Sequence, residues 1–402
     1  FFFKQKTAYE ISTRDWSSDV CSSDLVRTGL TAADALRTAA RTPRGLLGRA
    51  RSLSAERVAE LIPGIDRARL TGGALHWDGQ VVDDARLVVA LARTAARHRA
   101  GILTRTRALS VSGEGARVVD TPTGTEYEIG ARQVIVAAGV WTDRLDPDTR
   151  LVASRGSHVL LRPEALGDPI AALTVAVPGE RGRFAFALPT LDGPVIGGIT
   201  DIPVPAPLPD VPSAPADEVA WILRQLSSAL ARELTSADAV GTYAGLRPLV
   251  APPEGGNEGE HERSDDISRR HLVVRRDDGC IVVTGGKLTT YRRMAQDALD
   301  LADLPGSGPC VTSSTSAVGA QPYRTPPPPG IPLRLVRRFG AEAPRVASLA
   351  ELDPKLLLPL APGVHALGVE VVQAVRSEGA LDRKSTRLNS SHEWISRMPS
   401  SA

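Results

Sequence analysis

The stretch GGKLTTYRR, residues 285–293, is where the chain first offers chemistry. Of its 48 Lys+Arg residues only five are lysine, and three of these, Lys4, Lys6 and Lys384, lie near the two ends. Lys287 is one of two lysines in the body, set between a Gly-Gly pair and a helical pattern. Glycines after a strand let backbone come close to a ligand. A helix start adds unpaired N–H groups and a partial positive charge, and Thr289 and Thr290 add hydroxyls. Such a place suits an anion, either a phosphate or the electron-rich edge of a reduced ring. A plain tight turn accounts for the same residues. The G-x-x-x-x-G-K spacing of a triphosphate loop is absent.

Arg247 in AGLRPLV stands before a proline, and Arg269 in DISRRHLVV stands at the mouth of a strand. Neither lies in a charge run on a helix face, although a plain surface cation remains open for each. His158 in SRGSHVLLR begins a strand behind a Gly-Ser turn, a position where a lone histidine is as a rule structural. None of the seven histidines has zinc-type spacing with Cys or Glu. There is no G-x-S-x-G elbow.

The elements that must position these residues read as follows. TAADALRTAART (31–42) and SAERVAELIPG (54–64) are helices, the second capped by Ser54 and stopped by Pro63-Gly64. DDARLVVALARTAARHR (83–99) is a third, with Leu87, Val88, Leu91 and Ala95 as its apolar face. RVVD and TEYEI flank TPTG as a hairpin, and QVIVAAG (133–139) is a buried parallel strand. Across 151–250 the strands SHVLLR, RFAFALP and PVIGGIT, followed by a helix at 217–234, predict an antiparallel sheet with a helix on it. HLVVRRDDGCIVVTGG (271–286) is a hairpin turning at Asp278-Gly279. Residues 251–266 are polar and mostly acidic, 304–330 a linker by composition, and 331–381 a short helical piece.

At 402 residues the chain has room for two or three domains. A net charge of +2 and 4% aromatics argue against nucleic acid and against a polybasic membrane anchor. Cys21, Cys280 and Cys310 show no CxxC spacing and suggest a reducing compartment. No apolar run reaches the roughly 18 residues that span a bilayer, so membrane contact is expected to be peripheral. The first 24 residues and those from 383 onward differ in composition from the Ala/Arg/Leu-rich body. They read as foreign, disordered tails of the kind that translated adapter sequence would leave, on a body of 25–382 cut at both ends.

VIVAAGVWTD, SRGSHVLL, VIGGITD, AGLRPLV, DISRRHLVV and GGKLTTYRRMAQDAL occur in this order. Together they resemble the FAD-dependent, quinone-linked glycerol-3-phosphate dehydrogenases, a branch of the D-amino-acid-oxidase-like flavoproteins. GLRPL with GGKLTTYR is the specific part; AAGVW is common to many flavoproteins. The resemblance implies an α/β (α+β overall) architecture: a partial Rossmann-like FAD-binding domain at 25–150 lacking its first βαβ unit, a substrate domain at 151–250, and a return to the FAD-binding domain at 251–303. A truncated helical domain at 331–382 would follow the linker. The family's G-x-G-x-x-G turn has no counterpart in residues 1–50, and TGGALHWDG (71–79) offers glycines in the wrong context. Weak FAD binding and exposed sheet edges are therefore expected.

By the same resemblance, Arg247 and Arg269 would grip a substrate phosphate, and Lys287 would sit between flavin and substrate. His158 would face the reacting carbon as proton acceptor, with water or Lys287 as alternatives. Gly285, Gly286, Leu288 and Thr289 would contact the flavin, with Gly139 and Trp141 where the dinucleotide sheet meets it. An arginine fork suits a phosphate, whereas a compact ammonium suits charge developing on the ring. The implied reaction is oxidation of sn-glycerol 3-phosphate, with electrons passed to a quinone by a cytoplasmic protein at the inner face of the cell membrane. Oligomeric state stays open, a homodimer included. The rival readings are an oxygen-using glycerol-3-phosphate oxidase, an amine oxidase of the same fold, and an inert fragment or anion-binding module.

Overall fold

The computed structural model describes residues 9–13, 20–39, 48–77, 79–81, 83–180, 183–190, 193–250, 271–306, 308–322, 325–362 and 364–381. Arg269, the acidic stretch 251–266 and the tail from 383 lie outside the described residues.

The chain opens with β1 (Tyr9–Thr13) and α1 (Val20–Ala39), then β2 (Arg51–Leu53), α2 (Ala55–Leu61) and β3 (Gly73–Trp77). Ser54 caps α2 as its pattern predicts, its hydroxyl accepting from Arg57 N at 3.4 Å. Helix α3 (Asp84–Arg97) is capped by Asp83. β4 (Thr106–Ser112), β5 (Gly115–Asp120) and β6 (Glu126–Gly130) form an antiparallel meander, the last two strands being the expected hairpin. β7 (Ile135–Val136) leads into a 3-10 turn, Gly139–Arg144.

Next come β8 (Leu151–Leu161), β9 (Ala172–Ala176), β10 (Phe184–Pro189), β11 (Val195–Gly198), β12 (Ile202–Val204), α4 (Ala216–Ser227) and β13 (Ala239–Val250). They build a nine-stranded sheet in the order β12-β8-β11-β10-β9-β1-β3-β2, with β13 along the other edge of β8. Helix α4 lays Ile222, Leu223 and Leu226 on one face of it, against Val159, Leu161 and Ala187.

The sheet reaches further back in the sequence than expected. β2, α2 and β3, assigned above to the dinucleotide half, put Val58, Leu61, Ile62 and Leu75 into the core under α4. These strands are too short for a period of two to show. The loose tail expected over 1–24 is also corrected in part. Tyr9–Thr13 pairs antiparallel with β3 and parallel with β9, and residues 20–24 begin α1. A stretch holding Tyr, Ile and Thr suits a strand, and the facing edges of β3 and β9 supply its backbone partners.

β14 (His271–Arg275) and β15 (Ile281–Gly285) form the predicted hairpin, with Gly279 in the left-handed region at φ 87°. β15 pairs parallel with β7 and runs through a 3-10 turn into α5 (Tyr291–Ala302). Residues 304–330 hold no helix or strand among the described residues. α6 (Leu333–Phe339), α7 (Ala343–Ala347), a hairpin of β16 (Pro359–Ala361) and β17 (Val364–Leu367), and α8 (Gly368–Ser377) then pack round Leu335, Phe339 and Val369.

This helical unit changes which residues of α3 are buried. Of the expected apolar face of α3, Leu87, Leu91 and Ala95 are half-buried and Val88 is exposed, while the fully buried residues are Arg86 and Ala90. The reason is ionic. Arg86 pairs with Glu378, Arg93 with Glu342 at 2.6 Å, and Arg338 with Asp83 and Glu370, each at 2.9 Å. Charges are tolerated inside when paired, and apolar periodicity cannot register them. No helix among the described residues is long and apolar enough to cross a membrane.

Candidate active site

β8 and β13 run antiparallel, in unbroken register from Gly241 to Val250 after an irregularity at Ala239–Gly241, which puts Tyr243 opposite His158, Gly245 opposite Gly156 and Arg247 opposite Ser154. Opposite residues share a face, and so do alternate residues along a strand. All six therefore face away from α4, whose side of β8 carries Arg155, Ser157 and Val159.

His158 lies in a slot. Its ring stacks on Tyr243 with centroids 4.5 Å apart and planes 5° from parallel, and Phe186 closes the far side at 6.2 Å. Gly198, its neighbour on β11, leaves the room: a Cβ there would lie 2.7 Å from His158 Cδ2. Burial, then the charge of Asp84, pushes the Tyr243 hydroxyl above its ordinary value, so it stays neutral.

The Arg247 guanidinium folds back over Gly156, where a Cβ would meet Nη2 at 2.4 Å. Its Nη1 donates to Thr200 O at 3.2 Å and to Asp201 Oδ1 at 3.4 Å. Asp201 also accepts from the buried Ser154 hydroxyl. The 200–201 corner is anchored from α4. Glu218 accepts from Thr200 Oγ1 at 2.7 Å, Ser157 Oγ at 2.5 Å and Arg155 Nε at 2.9 Å. Burial pushes the Glu218 carboxyl up, but those hydrogen bonds and the Arg155 charge outweigh it and hold the group below its ordinary value.

At the end of β15, Gly285 and Gly286 take φ of 72° and 74°, a left-handed pair open to glycine alone at low cost. A Cβ on Gly286 would also strike Met294 Sδ at 2.7 Å. Lys287, Leu288 and Thr289 are exposed beyond the turn. Thr290, expected as a donor to a ligand, instead closes the turn, its hydroxyl donating to Lys287 O at 2.9 Å and accepting from Lys287 N. The 3-10 turn Gly139–Arg144 packs against β15, β13 and β8, and β13 packs against β15. The two sheets thus meet where Gly139, Trp141, the Gly-Gly turn and the Arg247 strand come together. Arg269 lies outside the described residues.

The seam is fitted to a bound group. Trp141 Nε1 and Thr284 Oγ1 are buried there without a hydrogen-bond partner among the described residues. Gly139, at φ 60°, has nothing among the described residues within 4 Å of where a Cβ would stand. Residues 14–292 match the family described as FAD dependent oxidoreductase, or DAO.

The chain belongs to the DAO family of FAD dependent oxidoreductases.

Within DAO proteins it is similar to glycerol-3-phosphate dehydrogenase 1 of Mycobacterium tuberculosis, at 43% identity over 364 residues, covering 89% of this chain and 70% of the relative. Glycerol-3-phosphate dehydrogenase 2 of the same organism is 33% identical over 374 residues, and the chain spans 60% of its length. In fold it is similar to the glycerol-3-phosphate dehydrogenase of Bacillus halodurans complexed with FAD, with a TM-score of 0.62 and 24% identity over 80% of this chain and 66% of that one. L-alpha-glycerophosphate oxidase of Mycoplasma pneumoniae gives a TM-score of 0.54 at 17% identity, covering 74% of this chain and 72% of that one. The DAO cofactor is FAD, and the donors at the seam suit it.

Sequence reasoning did not find Tyr243, Ser154, Asp201 or Glu218. Asp201 was in view, closing the VIGGITD segment, but only the fold brings it to Arg247. Glu218 reads from sequence as an ordinary first-turn carboxylate of α4. Tyr243 follows from His158 only once the register is known.

Proposed function

We propose that the protein oxidises sn-glycerol 3-phosphate to dihydroxyacetone phosphate with FAD as cofactor, delivering the electrons to a quinone at the inner face of the cell membrane. The observation that carries this reading is the shared face of β8 and β13, which offers an arginine fork and an imidazole one glycine step apart. The names of the two mycobacterial relatives supply the substrate.

Arg247 binds the phosphate, the 200–201 corner keeping its fork aimed. Arg269 adds a second cation. His158, held flat by Tyr243, takes the proton from the C2 hydroxyl; an imidazole is suited to this near neutral pH. Lys287 contributes a positive charge where negative charge develops. The backbone of Gly285 and Gly286 with Leu288, Thr289, Gly139 and Trp141 would hold the flavin. FAD, when bound, supplies the two-electron acceptor.

Replacing Arg247 by Ala tests the assignment. A charge-assisted hydrogen bond of about 1.5–3 kcal/mol is lost, or roughly a ten- to 150-fold rise in KM for glycerol 3-phosphate. Turnover of unphosphorylated glycerol should stay the same, and an unchanged KM for the phosphate ester removes Arg247 from the site. Peroxide yield under air, against quinone reduction, separates the dehydrogenase from the oxidase reading.

A further inference from the structure

On the pocket face of β8 and β13, the rung between His158–Tyr243 and Ser154–Arg247 carries no side chains. Both its members, Gly156 and Gly245, are glycine. The two glycines differ in what lies above them. Gly156 is buried beneath the Arg247 guanidinium. Gly245 is exposed, and a Cβ built on it meets nothing within 4 Å among the described residues. Neither adopts a positive φ, so backbone conformation does not call for glycine at 245. Glycine in a strand interior is unfavourable and commonly marks a bulge, a bend or a place where a ligand or backbone approaches closely; the β8–β13 pairing has no register shift at Gly245.

We infer that the bare step over Gly245 seats the carbon chain of the substrate, and that Gly245 thereby sets which phosphorylated polyols the site accepts. Successive rungs on one face lie about 7 Å apart. Arg247 starts one rung beyond the step and folds back over it; His158 stands one rung before it. A chain of three carbons ending in a phosphate fits between an imidazole and a guanidinium so placed, with its middle carbon nearer the histidine. Bulkier or branched chains meet the Tyr243 ring and the floor of the strand pair. This rests on the phosphopolyol reading above and adds the residue that determines its size.

The open space suits the test, because the Cβ that Gly245→Ala adds meets nothing within 4 Å among the described residues, and Gly245→Val enlarges the same group. Binding of inorganic phosphate and of glycerol 3-phosphate to the 402-residue chain is measured by phosphorus NMR titration for the unaltered protein and both variants. Thermal melting serves as the folding control. The expected result is glycerol 3-phosphate affinity falling about tenfold with Ala and further with Val, while inorganic phosphate affinity holds within twofold. Undiminished glycerol 3-phosphate binding in Gly245→Val overturns the inference and leaves the functional reading standing. Equal loss of both ligands also overturns it, since the step would then not distinguish a carbon chain from a bare anion. If the unaltered chain binds glycerol 3-phosphate no better than inorganic phosphate, the phosphopolyol reading fails and takes this inference with it.

Discussion

Gly156→Ala separates folding from function at a single methyl group. The added Cβ would lie 2.4 Å from Arg247 Nη2, 2.9 Å from Cζ and 3.0 Å from Nη1, against the 3.4 Å at which ordinary contact begins. The guanidinium must retreat by about 1 Å, a displacement that can cost on the order of 100-fold in rate when it misplaces a substrate grip. Leaving its place over Gly156 strains the bonds to Thr200 O and Asp201. Loss of one charge-assisted hydrogen bond to the phosphate is worth about 1.5–3 kcal/mol, hence a KM raised roughly ten- to 150-fold. Stability should move the other way or not at all. The clash is with the end of a flexible side chain, and alanine in a strand gains about 0.5–1 kcal/mol over glycine. Steady-state kinetics on FAD-loaded enzyme, paired with thermal unfolding, reads both quantities. A KM within twofold of the parent at unchanged Tm would show that Arg247 does not grip the substrate from this position. A Tm lowered by several degrees would show that Gly156 serves the strand rather than the arginine.

Gly286→Ala should lower Tm by several degrees and weaken FAD binding at least tenfold by absorbance titration, since φ 74° and the contact with Met294 both oppose a Cβ; wild-type affinity would mean that the turn does not shape the flavin site. Lys287→Met should slow cofactor reduction in stopped flow more than it weakens substrate binding, and normal reduction traces would contradict the role given to its ammonium. Glu218 is held below its ordinary value of 4.5, so its contribution to stability is present above that pH and is lost as pH falls through the lower folded value. Urea unfolding should therefore show Glu218→Gln destabilised at pH 7, with the gap to wild type narrowing as the pH is taken below 4.5; a gap that is constant with pH would dismiss the Arg155–Ser157–Thr200 cradle as its cause.

Much of the site was legible because its parts are local. The Gly-Gly-Lys turn shows in sequence as strand, glycines and helix, and both glycines take the positive φ that only glycine adopts at low cost. Ser54 caps its helix because capping needs only three or four consecutive residues. One expectation fails to a local competitor, and the others fail for the opposite cause, contacts far along the chain. Thr290 was read as a ligand donor, but its hydroxyl finds the nearer carbonyl of Lys287. The buried Arg86 of helix α3 escapes the apolar pattern because Glu378, its partner, and Glu342, the partner of Arg93, stand some 250–290 residues away in the chain. Strands β1, β2 and β3 join a sheet whose other members begin at Leu151.

By itself the sequence determined the kinds of group available and the short-range geometry round each: a cation after a glycine turn, an arginine before a proline, a histidine opening a strand. Local sterics and capping dictate these, and they need no knowledge of the rest of the chain. Only the tertiary structure decided which groups share a surface. The β8–β13 register places Arg247, Gly245, Tyr243, Gly156 and His158 on one face, and Glu218 reaches across from α4 to anchor the corner that holds the arginine. Cross-strand pairing and helix-to-sheet packing join residues far apart in the chain, and what each side chain can do depends on the neighbours so acquired.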